Sequence, residues 1–456
     1  MNYNESINYL NSFIDYEKLS SYNYNDAFKL DRVEALLTKL GSPHKRLNFI
    51  HIAGTKGKGS TSAFIHSILK NSGLCTGLYT SPHLLSFHER IRINSSFISK
   101  KDLISTVNRV RTAVEDISKG KGDFSFFEIY TACALLYFFK KNVDFAILET
   151  GLGGRLDATN VVNPKVAVIT RISYEHMDKL GKTIGSIATE KAGIIKENSI
   201  AISSLQMPKA REVIREHSRR KNAILFEVGS DIRFRELGVS DKKTVFDYFG
   251  LYNTLKDIEI SLLGPHQILN AVMAIGVCEI LPNFGVPFSE NTVRRGLNLT
   301  NWPGRFQIVK KDRTIILDGA QNRDSSFWLR KSYERIFTPL KIPRSGTPFL
   351  TGLKKKPIAL ILGVLRDKDV KGIARELSQI SKTAILTKAN TPRALEPNIL
   401  KEMAEKFFNN IILADNLKTA LEYARGITLK EGIILITGSL YLVADALKVL
   451  KVKVKF

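Results

Sequence analysis

The residues best suited to chemistry begin at His51, in the stretch "HIAGTKGKGSTSAF". Glycines at 54, 57 and 59 let the backbone N–H groups from Gly54 to Ser60 close around an anion. A helix starting there adds the positive end of its dipole. Lys58 is placed to meet the β- and γ-phosphates of a nucleotide. The spacing departs from the common phosphate loop, G-x-x-x-x-G-K-[ST], whose hydroxyl follows the lysine directly and reaches Mg²⁺. Here Gly59 intervenes, and the first hydroxyl is Ser60. A solvated glycine turn is the bland alternative; the apolar run before the loop and the helical pattern after it weigh against that.

Three other stretches carry polar residues of the right kinds. In "ILETGLGGRLDATN", Glu149 closes a buried run and is followed by Gly151, Gly153, Gly154, Arg155 and Asp157. A carboxylate there suits Mg²⁺, which takes one or two carboxylates together with phosphates and water. "LYTSPHLLSFHERI" offers Ser81, His83, His88, Glu89 and Arg90, each on its own compatible with a surface loop. "ITRISYEHMDKLG" places Glu175, His176 and Asp178 after another strand, although histidine is an unusual partner for Mg²⁺. Lys191, in "TEKAGIIK", is by itself indistinguishable from a surface lysine.

These stretches sit on a regular alternation of elements. "LNFIHIAG", "CTGLYTS", "VDFAILET" and "KVAVITRIS" read as buried strands. "STSAFIHSILKNSG" has Phe64, Ile65, Ile68 and Leu69 at helical spacing with Gly73 as a stop, and "FSFFEIYTACALLYFFKK" is a second helix. Strands separated by helices imply a parallel sheet covered on both faces, whose ligands gather beyond the strands' carboxyl ends. The polar endings "GTKGKGS", "YTSPH", "ETGLGG" and "ISYEH" are therefore expected to converge. Near residue 300 the run "NLTNWPGRF" reads as a hinge. Five strand candidates follow it: "RTIILDG", "PIALILGV", "TAILTK", "NIILAD" and "GIILITG". The expected fold is α/β: an N-terminal P-loop-type parallel-sheet ATPase domain (1–300) and a smaller C-terminal Rossmann-like α/β domain (304–456).

The 456 residues allow two or three domains, and the composition is that of an ordinary globular chain. Net charge is +24, from 68 Lys and Arg against 44 Asp and Glu. The lysines are scattered ("KKDLIS", "GLKKKP", "LKVKVKF") without arginine–aromatic interleaving, so a solvated surface is favoured over a nucleic-acid partner. Cys75, Cys133 and Cys278 form no C-x-x-C pair, which fits a reducing compartment. No signal peptide is visible, and "ALLYFF" and "GIILITGSLYLVA" are too short to span a membrane. A cytoplasmic monomer, bound to neither nucleic acid nor membrane, is expected.

Taken in order, "HIAGTKGKGST", "YTSPHLLSFHERIRI", "LETGLGGRLDATN", "ISYEHMDKLG", "EKAGIIK", "GPHQILNA", "WPGRFQ", "LDGAQN" and "GSLYLV" cover residues 51 to 443. That order resembles the folylpolyglutamate synthase/dihydrofolate synthase family of the Mur ligase superfamily. The resemblance implies an ATP-dependent ligase joining L-glutamate to dihydropteroate or a reduced folate, with ATP and two Mg²⁺ ions. It assigns the nucleotide to Gly54, Thr55, Lys56, Gly57, Lys58, Gly59, Ser60 and Thr61, with Asn270 at the adenine, Arg305 at the phosphates and Asp318 at the ribose. Ser81 and Glu149 would hold one Mg²⁺, and Glu149 and His176 the second. Lys191 matches a lysine often carbamylated in the superfamily, where the new carboxylate helps fix the metal. His83 and Arg90 fall where the family builds its folate pocket; Arg155, Asp157 and Gln321 are further substrate-side candidates. Lys58, Lys191, His176 and Arg305 form the catalytic set. Two departures stand out: Gln321, where the family usually has histidine in "DGAHN", and Lys56, where Asn is frequent.

The implied chemistry brings two anions together, a carboxylate and a γ-phosphate, so cations and positioning must do most of the work. With Arg305 and Asp318 on the second domain, closure over ATP is expected to be needed for turnover. A Mur-type ligase acting on a peptidoglycan-like precursor is the nearest rival. Only about fifty residues precede the loop, too few for an ordinary extra domain. A basic P-loop NTPase binding nucleic acid rests on charge alone. Whether dihydropteroate, reduced folates or both are taken stays open, with a slight lean towards a bifunctional enzyme.

Overall fold

The computed structural model describes residues 1–17, 19, 22–118, 123–337, 357–452 and 454. The lysines of "GLKKKP" lie outside the described residues. The chain forms two compact units, one of residues 1–235, 248–256 and 269–299, the other of 236–247, 257–268 and 300–456. The chain thus enters the second unit twice before staying there from Thr300 onward, so a single cut at residue 300 does not separate the two. The physical reason lies in side chains such as Leu263 and Val239, which pack into the second unit's apolar core.

The first unit is built on eight strands: β1 (Phe49–Ala53), β2 (Thr76–Tyr79), β3 (Ile91–Ile93), β4 (Ser96–Phe97), β5 (Phe145–Glu149), β6 (Val166–Ile169), β7 (Ile200–Ser203) and β8 (Ile224–Glu227). Their order is β4-β3-β2-β5-β1-β6-β7-β8. From β2 to β8 all neighbours are parallel, while β3 and β4 add an antiparallel edge. β1 and β5 are buried at every position, as continuous apolar runs in a sheet covered on both faces should be. The helix Lys58–Asn71 buries Phe64, Ile65, Ile68 and Leu69, each stabilising by about 1.5–3 kcal/mol. It stops where expected, with Gly73 left-handed two residues beyond. The helix Phe126–Lys140 is buried from Phe126 to Phe138 and starts with a reciprocal cap between Ser125 and Glu128.

A second, three-stranded sheet comprises β9 (Arg233–Val239), β10 (Thr244–Phe249) and β11 (Thr254–Ile260), in the order β11-β10-β9. The third sheet belongs to the second unit. Its strands are β12 (Gln307–Lys310), β13 (Thr314–Leu317), β14 (Ile358–Leu362), β15 (Thr383–Leu386), β16 (Asn410–Leu413) and β17 (Ile433–Thr437), ordered β12-β13-β17-β14-β15-β16. β13 to β17 are the five strands read from the sequence, and all run parallel to one another. β12 is an antiparallel edge that sequence reading passed over.

Pro265–Phe284 is long and apolar enough to cross a membrane, yet most of it is buried inside the protein. Its apolar character serves the core.

Candidate functional site

Because β1, β2, β5 and β6 are parallel, the segments following them emerge at one edge of the sheet. The loop after β1 bends around its neighbours at two glycines. Gly54 (φ +152°) faces the Thr170 hydroxyl and Gly57 (φ +91°) faces the Asn270 amide, each so closely that a Cβ would overlap. A left-handed backbone at Gly57 would also strain any other residue. The helix then begins at Lys58, aiming its first N–H groups beyond the strand ends. Ser60 and Thr61 are buried, and the Thr61 hydroxyl donates to Asn270 Oδ1 at 3.4 Å. Asn270 thus lies against the loop itself.

Three lysines meet here in three different conditions. Lys56 Nζ is 2.8 Å from Glu175 Oε1 in a largely buried ion pair. Lys191, only 5% exposed, donates to the carbonyl of Gly54 at 2.8 Å. Burial, reinforced by the charge of Lys58, pushes the Lys191 ammonium down to about 7. Lys58 itself makes no hydrogen bond or ion pair among the described residues. Glu175 is held below the usual carboxylate range by Lys56, His176 and Lys58, which together overcome its burial.

Glu149 ends β5 almost fully buried, and its Oε2 is 3.4 Å from the Ser81 backbone nitrogen. Ser81 and Glu149 are therefore neighbours, while His176 stands on the loop after β6, beside Glu175. Among the described residues no three His, Cys, Asp or Glu side chains converge as a ready metal cage. A buried carboxylate beside the Ser81 backbone, at the same end of the sheet as the glycine loop, fits Mg²⁺, which leaves most of its coordination to phosphate oxygens and water.

The loop after β2 is organised from within. Glu89 accepts from the N–H groups of Leu84, Leu85 and Ser86 at 2.7, 2.8 and 2.8 Å. Arg90, 2% exposed, grips both oxygens of Glu17 at 2.9 and 2.6 Å. Its Nε donates to His83 Nδ1 at 3.0 Å, and its guanidinium lies 5.2 Å from the centre of the Phe126 ring. Sequence reading missed Glu17, for it stands in no motif. Arg155 pairs with Glu190 at 2.8 Å on the helix Ile184–Ala192. Asp157 is buried and holds the glycine loop together, accepting from Leu152 N at 2.9 Å and from the Thr159 hydroxyl at 2.5 Å. Thr159 in turn meets His51 Nε2 at 2.7 Å, and burial pushes that imidazole down to about 3.

In the second unit, Asp318 caps its own turn, accepting from Phe306 N and Ala320 N, both at 2.8 Å. Arg305 lies near Asp318 and opposes the upward pull of burial on that carboxyl. Gln321 is anchored through its backbone, its N–H donating to Ser325 Oγ at 3.1 Å. The basic surface is partly neutralised in place: Arg211 and Arg215 share Glu227, and Arg219 and Arg220 share Glu216.

A glycine-lined phosphate loop on a parallel sheet, joined to a second parallel-sheet unit, is the build of a Mur-type ligase. The Mur ligase middle domain family matches residues 52–278, and the Mur ligase glutamate ligase domain matches 347–440. The chain is 35% identical to the dihydrofolate synthase/folylpolyglutamate synthase of Bacillus subtilis, over 92% of its own length and 95% of that protein. It is 31% identical to the folylpolyglutamate synthase of Lacticaseibacillus casei, over 97% of each. Mycobacterium tuberculosis folylpolyglutamate synthase complexed with ADP superposes with a TM-score of 0.87 at 30% identity, covering 100% of this chain and 99% of that one. The chain belongs to the dihydrofolate synthase/folylpolyglutamate synthase family.

Proposed function

We propose that this chain is an ATP-dependent carboxylate–amine ligase that adds L-glutamate to a folate-type carboxylate. The observation that carries this reading furthest is Lys58, an ammonium without a partner among the described residues, at the head of a helix and beside a glycine loop. The names of the relatives, and the ADP bound to one of them, support nucleotide and substrate class alike.

In the proposed reaction a substrate carboxylate oxygen attacks the γ-phosphorus and ADP departs, giving an acyl phosphate. The amine of glutamate then attacks the acyl carbon, phosphate leaves, and the amine loses its proton as the amide forms. Lys58 and the loop N–H groups draw the γ-phosphate into line and offset its charge. Ser81 and Glu149, with His176 on the loop after β6, are the residues that would hold Mg²⁺, which when bound would screen the phosphate oxygens. Lys191, half neutral near pH 7, can attack CO₂ through Nζ and release a proton, forming a carbamate at the loop's base.

The test is phosphate release that depends on both ATP and glutamate, with dihydropteroate and tetrahydrofolate supplied in parallel. Activity with both identifies a bifunctional enzyme, and activity with one fixes the specificity. No release with either overturns the proposal.

A further inference from the structure

Lys56 stands in the phosphate loop, two residues before Lys58, and by position alone it would be counted as a second phosphate-binding cation. The structure uses it differently. Its ammonium is 2.8 Å from Glu175, with the two side chains 22% and 15% exposed. Both residues lie on segments already stitched together. The N–H groups of Thr55 and Lys56 donate to the Arg171 carbonyl at 3.0 and 3.1 Å. The Thr55 hydroxyl donates to Ser173 O and accepts from Ser173 N, each at 3.1 Å. Lys56–Glu175 adds an ion pair to these links.

The residue after Glu175 explains why such a link is needed. His176 has φ +52° and precedes the short helix Met177–Leu180, whose Lys179 and Leu180 N–H groups donate to the His176 carbonyl at 3.0 and 2.8 Å. A histidine in the left-handed region is strained by about 1 kcal/mol and persists where its surroundings hold it. Glu175 is the adjacent residue through which the phosphate loop can hold it.

We propose that Lys56 is a positioning residue: its ion pair with Glu175 fixes the 171–176 segment, and with it His176, against the phosphate loop. Lys58 is then left as the loop's phosphate-seeking side chain. The inference rests on the nucleotide-site reading, and its test has an arm that does not.

The variants are Lys56→Met, Glu175→Gln, the two combined, and Lys56→Arg as the conservative control. In nucleotide-free protein, amide hydrogen exchange across residues 171–180 is expected to speed up about tenfold in either single variant and no further in the double, because both remove one shared contact. Lys56→Arg is expected to restore the wild-type rate. In calorimetry with a non-hydrolysable ATP analogue and Mg²⁺, the single variants and the double should weaken binding by the same factor. Unchanged exchange in both single variants overturns the proposal. So does Glu175→Gln tightening the analogue while Lys56→Met loosens it, the signature of a lysine that contacts phosphate directly. A wild-type protein that binds no analogue removes the nucleotide reading, and the exchange arm still decides whether Lys56 positions the segment.

Discussion

The first unit carries two cation-bearing loops at the edge of one sheet, and they dispose of their charge in opposite ways. In the 54–60 loop, Lys58 is left without a partner among the described residues, while its neighbours Lys56 and Lys191 are tied to Glu175 and to the Gly54 carbonyl. In the 81–90 loop, Arg90 is spent internally: both oxygens of Glu17 and one nitrogen of His83 take up its donors. On the proposed reading the first arrangement is a prebuilt anion receptor, with the cost of gathering positive charge met during folding. The second is a clamp that fastens the N-terminal segment to a loop. Residue type and motif position do not separate these cases; only the partners do.

The comparison breaks first at Lys58. Lys58→Ala is expected to lower turnover by about 10²–10³-fold, the usual loss of one charge-stabilising donor. Thermal stability should stay within about 0.5 kcal/mol of the parent, since no partner is left behind. Steady-state rates beside a melting curve check both halves, and normal turnover would remove Lys58 from the receptor.

Lys191→Met has the opposite balance. The Lys191 ammonium is pushed down to about 7, far below its ordinary value near 10.4, so below pH 7 the fold must bear a buried charge. Replacing it should stabilise the protein by about 2–4 kcal/mol at pH 7, after allowing for the lost bond to Gly54. Between pH 7 and about 10 the unfolded chain binds the extra proton, so the parent gains stability as pH rises and the advantage of the variant shrinks. Denaturant melts at pH 7 and pH 9.5 give the difference, while ligation should be lost at both.

Glu17→Gln tests the clamp. Leaving Arg90 buried beside a neutral amide should cost about 2–3 kcal/mol, reduced from the fully buried case because Glu17 is 29% exposed. If the variant instead kept its stability and bound the folate-type substrate more tightly, Arg90 would be a receptor that Glu17 occludes.

How much of this was legible in the sequence follows the same division. The parallel strands, the phosphate loop and the five strands of the second sheet could be read because hydrophobic period and glycine spacing are local. The place of Lys58 at the head of a helix was legible for that reason. Lys191 looked like a surface lysine, since its burial depends on a helix packing it onto Gly54, 137 residues away. Glu17 was invisible because its partner lies 73 residues further along and no motif links the two. Asp157 is a substrate-side candidate by its motif, and its bonds to Leu152 and Thr159 inside its own loop could not be read from the sequence. Short strands such as β3, β4 and β12 escaped because two to four residues carry too little periodicity.

Glu89→Gln is expected to have the smallest effect, and it probes how the clamp loop keeps its shape. The carboxylate accepts three consecutive N–H groups, yet burial outweighs them and pushes its pKa up. Gln removes the cost of burying charge but turns an NH₂ toward donors where an oxygen had accepted. The two changes oppose each other, so the net loss should be only about 1 kcal/mol. Its functional trace should be selective. The N–H groups of residues 84–86 would lose one acceptor and the loop would loosen, raising KM for the folate-type substrate several-fold. KM for ATP should not move, because none of these bonds reaches the 54–60 loop. Equal rises in both constants would mean that the two loops are mechanically one, and the contrast between receptor and clamp would fail at its weakest joint.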